Sequence, residues 1–122
     1  MNRSVCNFIA AFNQAIKKKS KEFKVKYFSL AFPLLNALVK EGFLQYYTLE
    51  KDTLRVYLRF NKNGLVVSYI KATSKPSKRA FVRWKQLKKN NSTQLILSGS
   101  KIFNVEELKM NKSGGILLLE VF

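Results

Sequence analysis

The stretch "TLRVYLRF", Thr53–Phe60, followed by "NKNG", Asn61–Gly64, and "LVVSYI", Leu65–Ile70, decides how this chain reads. Leu54, Val56, Leu58 and Phe60 alternate with Arg55, Tyr57 and Arg59, which is the period of a half-buried strand. Asn61–Gly64 has hairpin-turn chemistry, with Gly64 free to take positive φ. Leu65–Ile70 is then expected to return as the partner strand.

Toward the N-terminus, Val5, Phe8, Ile9, Phe12 and Ile16 recur at helical spacing, so 4–17 is expected to be a helix capped by Ser4. It is amphipathic and acid-free, as a transit peptide would be, but its apolar stripe is needed for a core. "FKVKYF", Phe23–Phe28, alternates as a short strand. Ser29 is placed to cap a second helix running to about Glu41, with Leu30, Leu34, Leu35 and Leu38 as its stripe and Pro33 in the first turn. Gly42 is expected at C′ in the left-handed conformation. The order to Ile70 is α-β-α-β-β.

Toward the C-terminus, Thr93–Ser100 reads as a strand and turn. Val105–Met110 reads as one helical turn capped by Asn104, with Glu106 and Glu107 at its positive end. Gly114–Gly115 reads as a break before a final buried strand, Ile116–Phe122. The expected class is α+β: an N-terminal α-β-α-β-β subdomain, residues 1–70, packed on a small β-rich subdomain, residues 71–122.

The 122 residues carry 23 Lys and Arg against 7 Asp and Glu, for a net charge of +16. The excess is spread over both halves, with 11 basic against 4 acidic residues in 1–61 and 12 against 3 in 62–122. Such self-repulsion calls for a polyanionic partner, nucleic acid before an anionic membrane. With 47% hydrophobic residues, the chain is not a disordered basic tail. Cys6 is alone and there is no histidine, which excludes an intrachain disulfide, Cys/His zinc sites and histidine-based catalysis. Asp52 is the only aspartate, and no acidic cluster is placed to hold Mg²⁺. No catalysis, metal, cofactor or small-molecule substrate is therefore expected. Cys6 reads as a small apolar residue of the first helix.

"TSKPSKRAFVRWKQLKK", Thr73–Lys89, is the densest basic segment; Lys71–Lys89 holds eight Lys or Arg and no acid. Soluble surfaces usually mix the two signs. Tyr69, Phe81 and Trp84 lie nearby and could stack on bases, although Phe81 suits a core better. "ILSGSKIF", Ile96–Phe103, sets small hydroxyl residues around a glycine, where backbone can approach a ribose or phosphate closely.

These pieces, in this order, resemble the bacterial-type small-subunit ribosomal protein eight family. "LLNALVKEGFL", Leu34–Leu44, is similar to the family's second-helix signature. "IKATSKPSKR", Ile70–Arg79, resembles its S-[RK]-P segment through Ser74, Lys75, Pro76 and Arg79. "LSGSK" matches its S-x-S loop through Ser98, Ser100 and Lys101, and "KSGGILLLEVF" its closing strand through Gly114, Gly115 and Val121. The chain departs from the family pattern at Ser77, Gly99, Ile102 and Ile116.

The resemblance implies a structural constituent of the small ribosomal subunit. It would bind the central domain of small-subunit ribosomal RNA and touch neighbouring ribosomal proteins. It places Ser98, Ser100 and Lys101 against an RNA minor groove, and Ser74, Lys75 and Arg79 on the backbone. Lys78 and Arg83 join the backbone set by charge. The Lys, Asn and Phe bias points to an AT-rich organellar genome, so a mitochondrial ribosome is expected, with a bacterial cytoplasm or plastid as alternatives. A peripheral membrane module is the alternative function; it would need its basic residues along one amphipathic helix.

Overall fold

The computed structural model describes residues 3–62, 64–72, 81–83, 85, 92–99, 101–112 and 114–122. Helix α1 spans Arg3–Lys17, α2 Ala31–Lys40 and α3 Val105–Met110. Strand β3, Thr53–Leu58, is the centre of a three-stranded antiparallel sheet, between β1 (Glu22–Lys26) and β2 (Leu44–Glu50). Its expected alternation holds through Leu58: Leu54, Val56 and Leu58 are buried, while Arg55 and Tyr57 lie on the other face; Phe60, expected on the buried face, falls beyond the strand and is exposed.

Its expected partner does not hold. Val56 faces Phe23 of β1 and Tyr47 of β2, so both edges of β3 are taken and Leu65–Ile70 cannot pair with it. Strand β2 escapes a periodicity reading because its register slips between Leu44 and Tyr46, a bulge that interrupts the alternation. "NKNG" closes only a two-residue ladder, β4 (Phe60–Asn61) with β5 (Gly64–Leu65), where Gly64 has φ +114°. The chain then crosses to a second sheet as β6, Ile70–Ala72.

The centre of that sheet is β10, Gly114–Val121. One edge pairs with β8 (Thr93–Ser98), followed by β9 (Lys101–Phe103). The other pairs with β6 and, nearer the start of β10, with β7 (Phe81–Arg83). Strand β10 thus begins at Gly114 rather than after a glycine break. An added Cβ on Gly115 would overlap the Leu97 carbonyl oxygen and lie 3.0 Å from Ile96 Cγ2. These glycines serve a close approach of two strands.

Helices α1 and α2 pack on the inner face of the first sheet, whereas α3 lies on the second sheet, with Leu108 against Ile96 and Leu117. Val5, Phe8, Ile9, Phe12 and Ala15 of α1 are buried, with Cys6 and Ile16 packed at the margin. Phe12 lies 5.3 Å from Phe23, centroid to centroid. This cluster continues through Leu34, Leu35 and Leu38 of α2 to Ile70, Leu95, Leu118 and Leu119 of the second sheet. Polar ties cross the same seam. The Asn13 side chain donates to the Ile70 carbonyl and accepts from the Ile70 amide, both at 2.7 Å. It thereby satisfies backbone groups of a short strand that would otherwise need water. Asn104 Nδ2 donates to Glu41 at 2.7 Å, and Lys40 pairs with Glu107 at 3.2 Å.

Helix ends follow the sequence unevenly. Asn104 caps α3 in a full capping box with Glu107, as its chemistry requires. Ser4 and Ser29 do not cap. The first helix already includes Arg3, and α2 is preceded by Leu30 at its N-cap, with no side-chain hydrogen bond. The Ala31 amide donates instead to the Phe28 carbonyl at 2.9 Å, and Pro33 has no amide to satisfy.

Gly42 lies just past α2 with φ +85°. A Cβ there would stand 3.3 Å from a movable Arg59 nitrogen, so backbone conformation sets the cost of a side chain. Gly42→Val should destabilise the domain by about 1–2 kcal/mol in thermal melts. Unchanged melting would show that the helix end does not depend on this conformation.

Candidate nucleic-acid interface

Ser98 ends β8 and Lys101 begins β9, and the two are paired in register. Only Gly99 and Ser100 connect them. Gly99 has φ +63°, which tight two-residue hairpins require at their first central position. The "SGSK" segment is therefore the tip of a tight hairpin, with Gly99 at the surface.

That tip abuts the start of β10. The Ser98 hydroxyl donates to the Gly114 carbonyl at 3.0 Å. Gly114 is in turn paired in register with Arg83 of β7 on its other side. Arg83, Gly114, Ser98 and Lys101 thus come from four strands to one end of the sheet, with Arg83, Gly99 and Lys101 exposed. Because Ser98 spends its hydrogen on Gly114, its oxygen is left with acceptor capacity only, the chemistry that a hydroxyl donor would meet.

Two carboxylates of the same half are occupied elsewhere. Glu120 accepts from Ser92 at 2.8 Å, roughly 20 Å along β10 from Gly114 at the usual rise of a strand. Glu107 is held by Lys40 and by the α3 cap. Lys101 also borders a groove of about 370 Å³ between α2 and the β9–α3 segment, where Asn36, Lys40 and Phe103 line the walls.

Of the residues singled out from sequence, the structure brings together Arg83, Ser98 and Lys101. Ser74, Lys75, Lys78, Arg79 and Ser100 lie outside the described residues, as do Trp84 and the side chain of Phe81. Tyr69 is half exposed and its ring stacks on Phe122 at 4.5 Å. Gly114 is the component that sequence reasoning missed. A glycine pair before an apolar run looks like a break, and only the pairing of β8 with β10 brings its carbonyl to the Ser98 hydroxyl. Among the described residues, no group of three or more Cys, Asp or Glu could hold a metal ion, and no helix is long and apolar enough to cross a membrane.

Comparison with known proteins covers nearly the whole chain. The family profile described as ribosomal protein S8 matches residues 4–122. A small ribosomal subunit protein uS8 from Lawsonia intracellularis (strain PHE/MN1-00) is 26% identical over 105 residues, spanning 84% of this chain and 83% of that protein.

Proposed function

The chain belongs to the ribosomal protein S8 family, and from that premise we propose that it binds the central domain of small-subunit ribosomal RNA through the end of its second sheet. It is a structural, non-catalytic component of the small ribosomal subunit. Within it, residues 71–122 act as the RNA-binding part and residues 1–70 as the body that supports it.

The carrying observation is the convergence of Arg83, Ser98 and Lys101 around Gly114, on a tight hairpin tip in a chain of net charge +16. In this reading Ser98 and Ser100 meet a minor groove, joined by Lys101. Ser74, Lys75, Lys78, Arg79 and Arg83 hold phosphates, which position the protein but carry little sequence information. The amphipathic first helix is not available to a membrane, because Val5, Phe8 and Phe12 are fully buried. We place the protein in a mitochondrial small subunit on its residue bias.

Sedimentation of gently lysed cells, with mitochondria separated first, tests the assignment. The chain should co-migrate with the mitochondrial small subunit and cross-link to its RNA. Migration with no ribosomal particle would end the reading, and recovery only from another ribosome would end the mitochondrial part.

A further inference from the structure

The first sheet has a second face, opposite the one on which the helices pack. Pairing in register sets three rows across it: Glu22–Tyr57–Tyr46, Lys24–Arg55–Thr48 and Lys26–Thr53–Glu50. The rings of Tyr46 and Tyr57 stack with centroids 4.2 Å apart and planes 18° from parallel, and Tyr46 is 46% exposed. Beside them a hollow of about 350 Å³ is lined by Lys24, Glu50, Lys51, Thr53 and Arg55.

The chemistry of this face is that of donors short of acceptors. The Thr48 hydroxyl and Arg55 Nε, neighbours in the middle row, are buried without a hydrogen-bond partner among the described residues, while the rest of the Arg55 guanidinium bonds the Tyr57 side chain and is partly exposed. The carboxylates, Glu22 and Glu50, belong to the outer rows; Glu50 stands 3.8 Å from Arg55, but Lys24, Lys26 and Arg55 outnumber the two acids across these rows. Desolvation raises the Tyr46 pKa above the ordinary tyrosine value, with Tyr57 and Glu22 adding to it. A tyrosine is neutral at physiological pH even at its ordinary pKa, and the shift is away from ionisation, so the ring does not repel a phosphate.

We propose that this face is a second RNA contact, taking a single-stranded segment whose base stacks on Tyr46 while its phosphates run along Lys24 and Arg55. A duplex does not fit this role, because an aromatic platform needs the face of an unstacked base. Charge complementarity selects RNA over an apolar protein surface: Lys24, Lys26 and Arg55 would be stranded under an uncharged partner. The contact rests on the ribosomal RNA reading for the identity of the polymer, and uses none of the residues of the hairpin tip.

The test uses the full chain, a labelled 12-nucleotide oligouridine and a blunt RNA duplex. Tyr46→Ala should weaken oligouridine binding by about tenfold, in the range found when one stacking ring is removed. Tyr46→Phe should stay within about twofold of the parent, and neither should change duplex binding. Paired Arg83→Gln and Lys101→Gln should do the opposite, lowering duplex affinity and sparing oligouridine. Unchanged oligouridine affinity in Tyr46→Ala would overturn the proposal. So would loss of a neighbouring protein from reconstituted subunits in Tyr46→Ala with oligouridine binding intact. If duplex binding ignores Arg83 and Lys101 while oligouridine still depends on Tyr46, the hairpin-tip reading fails and this one stands.

Discussion

Gly115→Ala should lower the melting temperature by roughly 10 °C, corresponding to about 2–3 kcal/mol of overpacking. The new methyl would overlap the carbonyl oxygen of Leu97 and crowd Ile96 Cγ2. A flexible side chain could turn aside, but a carbonyl on β8 moves only with its strand, and β8 is held by β9 and β10 together. Strand separation at this point would also pull Gly114 from Ser98, so the variant should lose RNA affinity even where it remains folded. Gly99→Ala is the contrasting case. Gly99 has open space for a Cβ, so only its positive φ opposes the change, at a cost of about 1 kcal/mol. Differential scanning calorimetry separates the two. Equal melting of Gly115→Ala and the parent would mean that β8 and β10 are not packed as closely as described.

Neutralising Lys75, Lys78, Arg79 and Arg83 to Gln should weaken binding to cognate and scrambled RNA helices alike by about a hundredfold or more at 0.1 M salt. The log–log salt dependence should flatten by roughly 0.7–0.9 for each phosphate that no longer meets a cation. Changing Ser98 and Ser100 to Val should leave that slope nearly intact and reduce the preference for the cognate helix over a scrambled one. Ser98 also anchors to Gly114, so Ser98→Thr, which keeps the hydroxyl, should preserve most of the preference. Filter binding over a salt series on both RNAs distinguishes the sets. If the serine pair changes the slope and not the discrimination, the groove-reading role fails. If the basic quartet leaves the slope unchanged, those side chains do not meet phosphates.

The residues proposed for RNA contact were named from sequence because the chemistry that suggests them is local. A run of eight cations without an acid needs no fold to suggest a polyanion, and Ser-Gly-Ser after an apolar strand suggests a turn, though not the β9 strand that makes it a hairpin. Arg83 was named for its charge alone. Its place beside the tip depends on β7 pairing with Gly114 some thirty residues later, which no local pattern contains. The same limit hid the second face of the first sheet. Tyr46 lies on a strand whose alternation is broken by a bulge, and its stacking on Tyr57 exists only once β2 and β3 are in register.

The sequence by itself determined the class of the fold, the buried faces of α1, α2 and β3, the capping of α3 by Asn104 and the left-handed turn at Gly42. Each follows from side-chain period or backbone sterics within a few residues. Tertiary structure alone decided which strands are neighbours. The hairpin expected after Phe60 gave way because β1 and β2 occupy both edges of β3, and a strand has only two edges to offer. Leu65–Ile70 is apolar enough for either sheet. Its destination was settled by where backbone hydrogen bonds remained open, at β10 and at the Asn13 side chain, 57 residues away from Ile70 in sequence.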